Sequence, residues 1–118
     1  MADATLAQMR NRVLEKLFVL EAGGVANAAD TATVEKVIVS TNEELRENEI
    51  CYWSDDATPQ SLVEHLAAYY GCYLANDYMP ANEALAFIQT HERRAMDRLR
   101  ELTATRKRVV EPTRATYF

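Results

Sequence analysis

Apolar side chains recur along most of this chain at steps of three and four, the spacing of a helix face, and the breaks between the stripes predict four helices. Leu6, Met9, Val13, Leu17 and Leu20 make the first stripe and Leu14 widens it, which predicts a helix over residues 5–20. Gly23-Gly24 are expected to end it, because glycine enters the left-handed C-terminal conformation without a Cβ penalty. Residues 25–30 are small and polar and read as a loop, with Asp30 or Thr31 able to cap the next helix. That second helix carries Val34, Val37, Ile38, Thr41 and Leu45 on one face and is expected to end near Asn48. Its valines and threonines are poor helix formers, so packing has to stabilise it.

Ile50-Cys51-Tyr52-Trp53 is too short for a helix and reads as an extended connector, pinned to the core by the large apolar area of the indole. Thr58 as cap and Pro59 at the first position predict a third helix, running to about Tyr78. Leu62, Val63, Leu66, Ala67, Tyr70 and Leu74 leave it little polar face, which makes it the central helix. Tyr69, Tyr70 and Tyr73, at helical spacing, read as core and interface side chains. After Pro80, Asn82 can cap a fourth helix with a thin stripe of Leu85, Ile88, Ala95, Leu99 and Leu102, in which Glu92 occupies an expected apolar step. Its distal half is therefore expected to project from a compact bundle of the first three. From Thr103 the periodicity stops, and Pro112, Thr105, Thr113, Thr116 and a closing Tyr117-Phe118 read as an extended tail. The fold class is thus all-α: a helical domain over residues 1–102 and an extended basic arm over residues 103–118.

Composition narrows this further. A chain of 118 residues makes one domain able to bury a core without metal or disulfide staples. Three glycines and three prolines are too few for the turns of a sandwich or barrel. No apolar run is long enough to span a bilayer, and residues 1–10 lack the basic-then-apolar order of a signal peptide. No membrane partner is expected, and synthesis in a cytoplasm is, with Cys51 and Cys72 as separate reduced thiols. The net charge of −5 is uneven: residues 1–90 carry −9 and residues 91–118 carry +4. Acidic and basic residues interleave at helical spacings between Glu92 and Glu101, as on a solvated face. Arg106-Lys107-Arg108 has only Glu111 nearby and points to an acidic partner.

Little in the chain carries chemistry. His91-Glu92-Arg93-Arg94-Ala95 begins like a zinc-protease helix, but alanine stands where the second histidine belongs. Cys51, Cys72, His65 and His91 have no ligand spacing. His65 and Cys72 share a helix face but lie two turns apart, ~10 Å, beyond the reach of a nucleophile–base pair. No glycine-rich loop precedes a helix as a phosphate cradle does. Neither catalytic residues, metal nor cofactor are expected, and an enzyme such as a small hydrolase is disfavoured. A small DNA-binding regulator using the basic C-terminal segment is the alternative, opposed by the acidic body and by the lack of a basic recognition helix.

The order of features carries a resemblance. Arg12-Val13-Leu14-Glu15-Lys16-Leu17 opens the chain's first helix, Val19-Leu20 leads to Gly23-Gly24, and a second helix ends in Glu44-Leu45. Ile50-Cys51-Tyr52-Trp53 follows, then Pro59, Leu66-Ala67-Ala68-Tyr69-Tyr70-Gly71 and Leu74-Ala75. Over about residues 6–78 this resembles the head-to-tail adaptors of tailed bacteriophages, the packaged-DNA stabilisation or tail accessory factor type. The sequence departs from that pattern at Phe18, where many members have glycine. The resemblance implies a structural virion protein at the head–tail junction, made in the bacterial host cytoplasm. It implies a homo-oligomeric ring, twelve-fold in that family, between portal protein and downstream tail protein, with packaged DNA passing through unbound. It also implies a C-terminal segment that docks on the portal. Here Arg106, Lys107, Arg108 and Arg114 would steer that segment, and Val109, Val110, Pro112, Tyr117 and Phe118 would seat it in grooves or pockets.

Overall fold

The computed structural model describes residues 2–21 and 24–110, with side chains described up to residue 106. The chain is all-α: α1 Leu6–Lys16, α2 Ala28–Glu47, α3 Gln60–Tyr78 and α4 Ala81–Val110. Among the described residues the only extended pairings are two isolated bridges, Ala4 with Thr58 and Ser54 with Ala57.

α3 is central. It packs on α1, α2 and α4, and Leu62, Leu66, Tyr70 and Leu74 are buried along it. Its small residues set how closely neighbours come: a Cβ on Gly71 would lie 3.1 Å from the Phe87 ring of α4. Met9, Val13 and Leu14 of α1 and Val34, Ile38 and Leu45 of α2 complete the core, each large side chain contributing about 1.5–3 kcal/mol by leaving water.

Each helix begins and ends for a local reason. Thr5 and Gln8 form a reciprocal capping box at α1: the Thr5 hydroxyl accepts from the Gln8 N–H at 3.2 Å, and the Gln8 carbonyl oxygen accepts from the Thr5 N–H at 2.9 Å. Asp56 of the connector accepts a third free N–H there, from Leu6 at 2.9 Å. α2 is capped by Asn27, which accepts from the Asp30 N–H at 2.8 Å, so the helix starts one turn before the expected cap at Asp30 or Thr31. Thr58 does not cap α3; its backbone pairs with Ala4 in both directions and Pro59 takes the cap position without a side-chain bond. The Pro80 carbonyl accepts from the Ala84 N–H, so α4 opens before Asn82.

α1 stops at Lys16, well short of Gly23-Gly24. Phe18 has a φ of 61°, its N–H donates to the Glu15 carbonyl and the Val19 N–H to the Leu14 carbonyl. α2 ends the same way, with Glu49 at a φ of 61°, its N–H on Arg46 and the Ile50 N–H on Leu45. Both are Schellman motifs with a non-glycine residue in the left-handed position. That conformation costs an L-residue ~1–2 kcal/mol, partly offset by the greater freedom glycine has in the unfolded chain. Phe18→Gly with Glu49→Gly is therefore expected to stabilise the fold by ~1 kcal/mol, raising the thermal midpoint by about 4 °C. Thermal circular dichroism checks this, and a lowered midpoint would show that the replaced side chains are held by packing.

α4 has 30 residues, about 45 Å of helix, in a molecule 52 Å long. Its inner stripe is Ala84, Ile88, His91, Ala95, Leu99 and Thr103, in steps of three and four. Glu92 faces outward because His91 takes the step assigned to it, and Leu85, expected in the stripe, is 56% exposed. Nor does the helical pattern stop at Leu102. α4 continues to Val110, Thr103 is buried, and its hydroxyl donates to the Ile50 carbonyl at 3.3 Å. The first eight residues assigned to an extended arm are thus helical, because the connector supplies a surface for α4 to pack on.

Candidate functional site

The connector between α2 and α3 joins the two ends of the predicted organisation. Trp53 is buried, edge-on to Tyr52 at 5.2 Å between ring centroids. Arg46 donates to the Trp53 carbonyl at 3.0 Å and to Asp55 at 2.9 Å, and Asp55 also accepts from the Asn42 amide at 2.9 Å. Asn42 in turn accepts from the hydroxyl of buried Tyr70. This polar chain runs from the core to the connector. It holds residues 50–56 in one conformation because each buried polar group in it loses less by staying bonded than by opening. Asn42 was absent from the expected face of α2, and a lone asparagine between Thr41 and Glu43 carries no helical signal that would flag it.

Of the predicted docking residues, Arg106 reaches this connector. Arg106 lies over the Tyr52 ring, its guanidinium carbon 3.9 Å from the centroid, a cation–π contact that ties α4 to the connector. Lys107, Arg108, Val109 and Val110 lie on the last turns of α4. Pro112, Arg114, Tyr117 and Phe118 lie outside the described residues. Of the predicted set, the structure thus brings Arg106 into contact with the body.

At the other end of the molecule, Phe18 is 87% exposed despite its size. Beside it Met79, Ala86 and Phe87 line an open depression of about 570 Å³. The left-handed backbone of residue 18 turns this ring outward. An aromatic ring at such a position, next to further apolar surface, suits contact with another chain.

Burial and charge shift several titratable groups among the described residues. Cys72 is buried and its thiol is pushed up to about 12 by desolvation, with the Glu92 charge adding to it. Burial also raises Cys51, against the pull of Arg46, and its thiol donates to the Trp53 carbonyl at 3.4 Å. Burial raises the Tyr70 hydroxyl as well. Among the described residues no cluster of three His, Cys, Asp or Glu side chains could hold a metal ion, and no helix is long and apolar enough to cross a membrane. Glu64 is the carboxylate most strongly perturbed downward. Arg12 donates to both its oxygens at 2.7 and 2.8 Å and Lys16 lies 3.0 Å away, which lowers it to about 2.

Because Glu64 is held low in the folded state, its contribution is fully present above the ordinary value of 4.5 and disappears as pH falls through about 2. Unfolding by urea is expected to become easier across that window. Glu64→Gln should be less stable than the parent at pH 6 and equal to it near pH 2. The difference at pH 6 should stay below ~1 kcal/mol, since the pair is half exposed and screened.

No family model, no curated protein and no solved structure matches this chain.

Proposed function

We propose that this chain is a structural subunit of a bacteriophage head-to-tail junction, an adaptor that forms a ring between portal and tail and extends the DNA channel. The observation that carries the reading is the backbone at Phe18. Many of the resembled adaptors have glycine there, and the chain adopts at that residue the left-handed conformation that favours glycine. The departure in sequence thus falls at a position whose backbone suits glycine. The charge distribution supports the reading too: a body of −9 over residues 1–90 would not hold passing DNA, and Lys107 and Arg108 on the last turns of α4 precede a segment that ends in two aromatics.

In this reading each subunit meets its neighbour front to back, a heterologous contact, and exposed Phe18 and the depression beside it suit such a seam. The narrow stripe of α4 leaves little for a strong self-standing interface. The portal would supply the missing free energy by holding subunits side by side at high effective concentration. The purified protein is expected to sediment as a monomer or weak oligomer at micromolar concentration and to add a ring of density to its portal in electron micrographs. A stable large ring without portal would overturn the assembly route. Absence of the added ring, together with a salt-dependent shift of duplex DNA, would overturn the adaptor reading in favour of a regulator.

A further inference from the structure

Three helices bring a second set of side chains together far from the connector. Lys16 at the end of α1, Glu64 and His65 on α3, and His91 and Arg94 on α4 converge on a depression of about 150 Å³. Buried Ala68 and Ala95 also line it, and their small side chains leave it unfilled. An adjoining cleft of about 640 Å³ shares His65 and Arg94 and adds Arg93 and Arg98 along the same side of α4. Together the two are lined by four cations, Lys16, Arg93, Arg94 and Arg98, and three carboxylates, Glu64, Asp97 and Glu101.

Each carboxylate is paired with a cation, which leaves Arg94 as the unpaired charge of the cleft among the described residues. Glu64 is held by Arg12 and Lys16, Glu101 accepts from Arg98 at 2.9 Å, and Asp97 lies 3.9 Å from Arg93. Arg94 has no ion-pair partner among the described residues. The His91 ring packs on Phe87 with centroids 4.5 Å apart, which fixes one imidazole at the rim before any ligand arrives. Desolvation is the main cause that keeps both imidazoles below the ordinary histidine value. Arg98 and Lys16 add to it at His65 against Glu64, and Lys16 and Arg94 add to it at His91. Near neutral pH the cleft thus presents fixed cations and two uncharged rings, each able to become a further charged donor.

We propose that this cleft is a pH-sensitive binding site for a tetrahedral oxyanion of the phosphate type, held by Arg94, Lys16 and the two imidazoles. Donors from three helices approach from different sides, which suits an anion with oxygens in several directions, and Arg94 supplies a charge-assisted hydrogen bond without first breaking an ion pair. A bound dianion faces the cations that disfavour imidazolium in the empty cleft, Lys16 from α1 and Arg94 and Arg98 from α4, beside Glu64 of α3, which favours it. It screens the cations and favours protonation of both rings. Binding and proton uptake are therefore linked, and affinity rises as pH falls through the histidine range.

The test uses sulfate, whose charge stays fixed between pH 5.5 and 7.5, and follows the imidazole resonances of the full chain by NMR. His65 and His91 are expected to move on one saturable curve, with the dissociation constant falling about tenfold or more from pH 7.5 to 5.5. Saturating sulfate should raise the midpoint of each imidazole titration. Arg94→Gln, at an exposed position that the fold does not use, should weaken binding about tenfold at pH 5.5 while leaving the helical spectrum unchanged. Displacement of sulfate by a short single-stranded oligonucleotide would identify a phosphodiester as the source of the anion. Undisturbed sulfate would identify a free anion. Shifts that fail to saturate, that sodium chloride reproduces at equal ionic strength, or that persist unchanged in Arg94→Gln overturn the site.

Discussion

Asn42→Ala is expected to destabilise the fold by about 3 kcal/mol, more than any surface substitution in the chain. Asn42 is fully buried and is the middle of the chain from Tyr70 to Asp55. Alanine removes the acceptor of the Tyr70 hydroxyl, which then sits in the core without a partner, and takes from Asp55 one of its two donors. Tyr70→Phe removes the hydroxyl itself and leaves Asn42 bonded to Asp55, so it should cost only about 1–1.5 kcal/mol. In the double variant the two losses overlap, and the sum of the single effects should exceed the measured one by ~1 kcal/mol or more. Urea unfolding of the four proteins measures this. Additive effects would mean that the two groups stabilise the fold independently.

The same pair shows what the sequence could and could not say about the fold. The four stripes were legible because each helix buries one face against α3, and periodicity reports burial of a face. Tyr70 was placed in the core on that ground. Its partner was missed because a polar residue in a stripe is legible only through what it touches, and Asn42 touches a hydroxyl 28 positions away. The end of the first helix is hidden for a different reason, whereas the second ends near Asn48 and the third at Tyr78 as their stripes predict. Gly23-Gly24 offered the usual signal, but Phe18 and Glu49 take the left-handed position because the chain must turn there for Leu20 and Ile50 to pack on the core. Tertiary contacts outweighed the local preference by more than the ~1–2 kcal/mol that the conformation costs.

The candidate sites divide along similar lines. The charge asymmetry was visible by counting, and so was the basic run at Arg106-Lys107-Arg108. That Arg106 is spent on Tyr52 was not visible, since their separation in sequence exceeds any helical repeat. The imidazole cleft was also hidden. His65 and His91 read as unrelated singles until α3 and α4 lie side by side and Lys16 arrives from the end of α1. Small residues at 68 and 95 look in sequence like ordinary helix formers, and only packing makes them the lining of a depression.

Two truncations are expected to give opposite results, and together they separate the fold from the proposed portal anchor. Removing residues 109–118 should change stability by less than ~0.5 kcal/mol, because it leaves in place the buried stripe of α4 through Thr103, its bond to the Ile50 carbonyl and the Arg106–Tyr52 contact. Removing residues 103–118 should cost about 2–3 kcal/mol, since it strips buried Thr103 with its bond to the Ile50 carbonyl, exposes the connector, and deletes the cation over Tyr52. Only the shorter deletion therefore tests function on an intact body. It should abolish portal binding, because Tyr117 and Phe118 are the side chains proposed to fill pockets on the partner. Charge is tested apart from anchoring by Lys107→Gln with Arg108→Gln, leaving Arg106 in place for the connector. That protein should bind the portal more slowly, with a weaker salt dependence and a nearly unchanged dissociation rate. If the protein lacking residues 109–118 still assembles on the portal with the parent's affinity, the arm is not the anchor. The contact would then belong to the helical body, where exposed Phe18 and the surface beside Met79 and Phe87 would be the residues to substitute next.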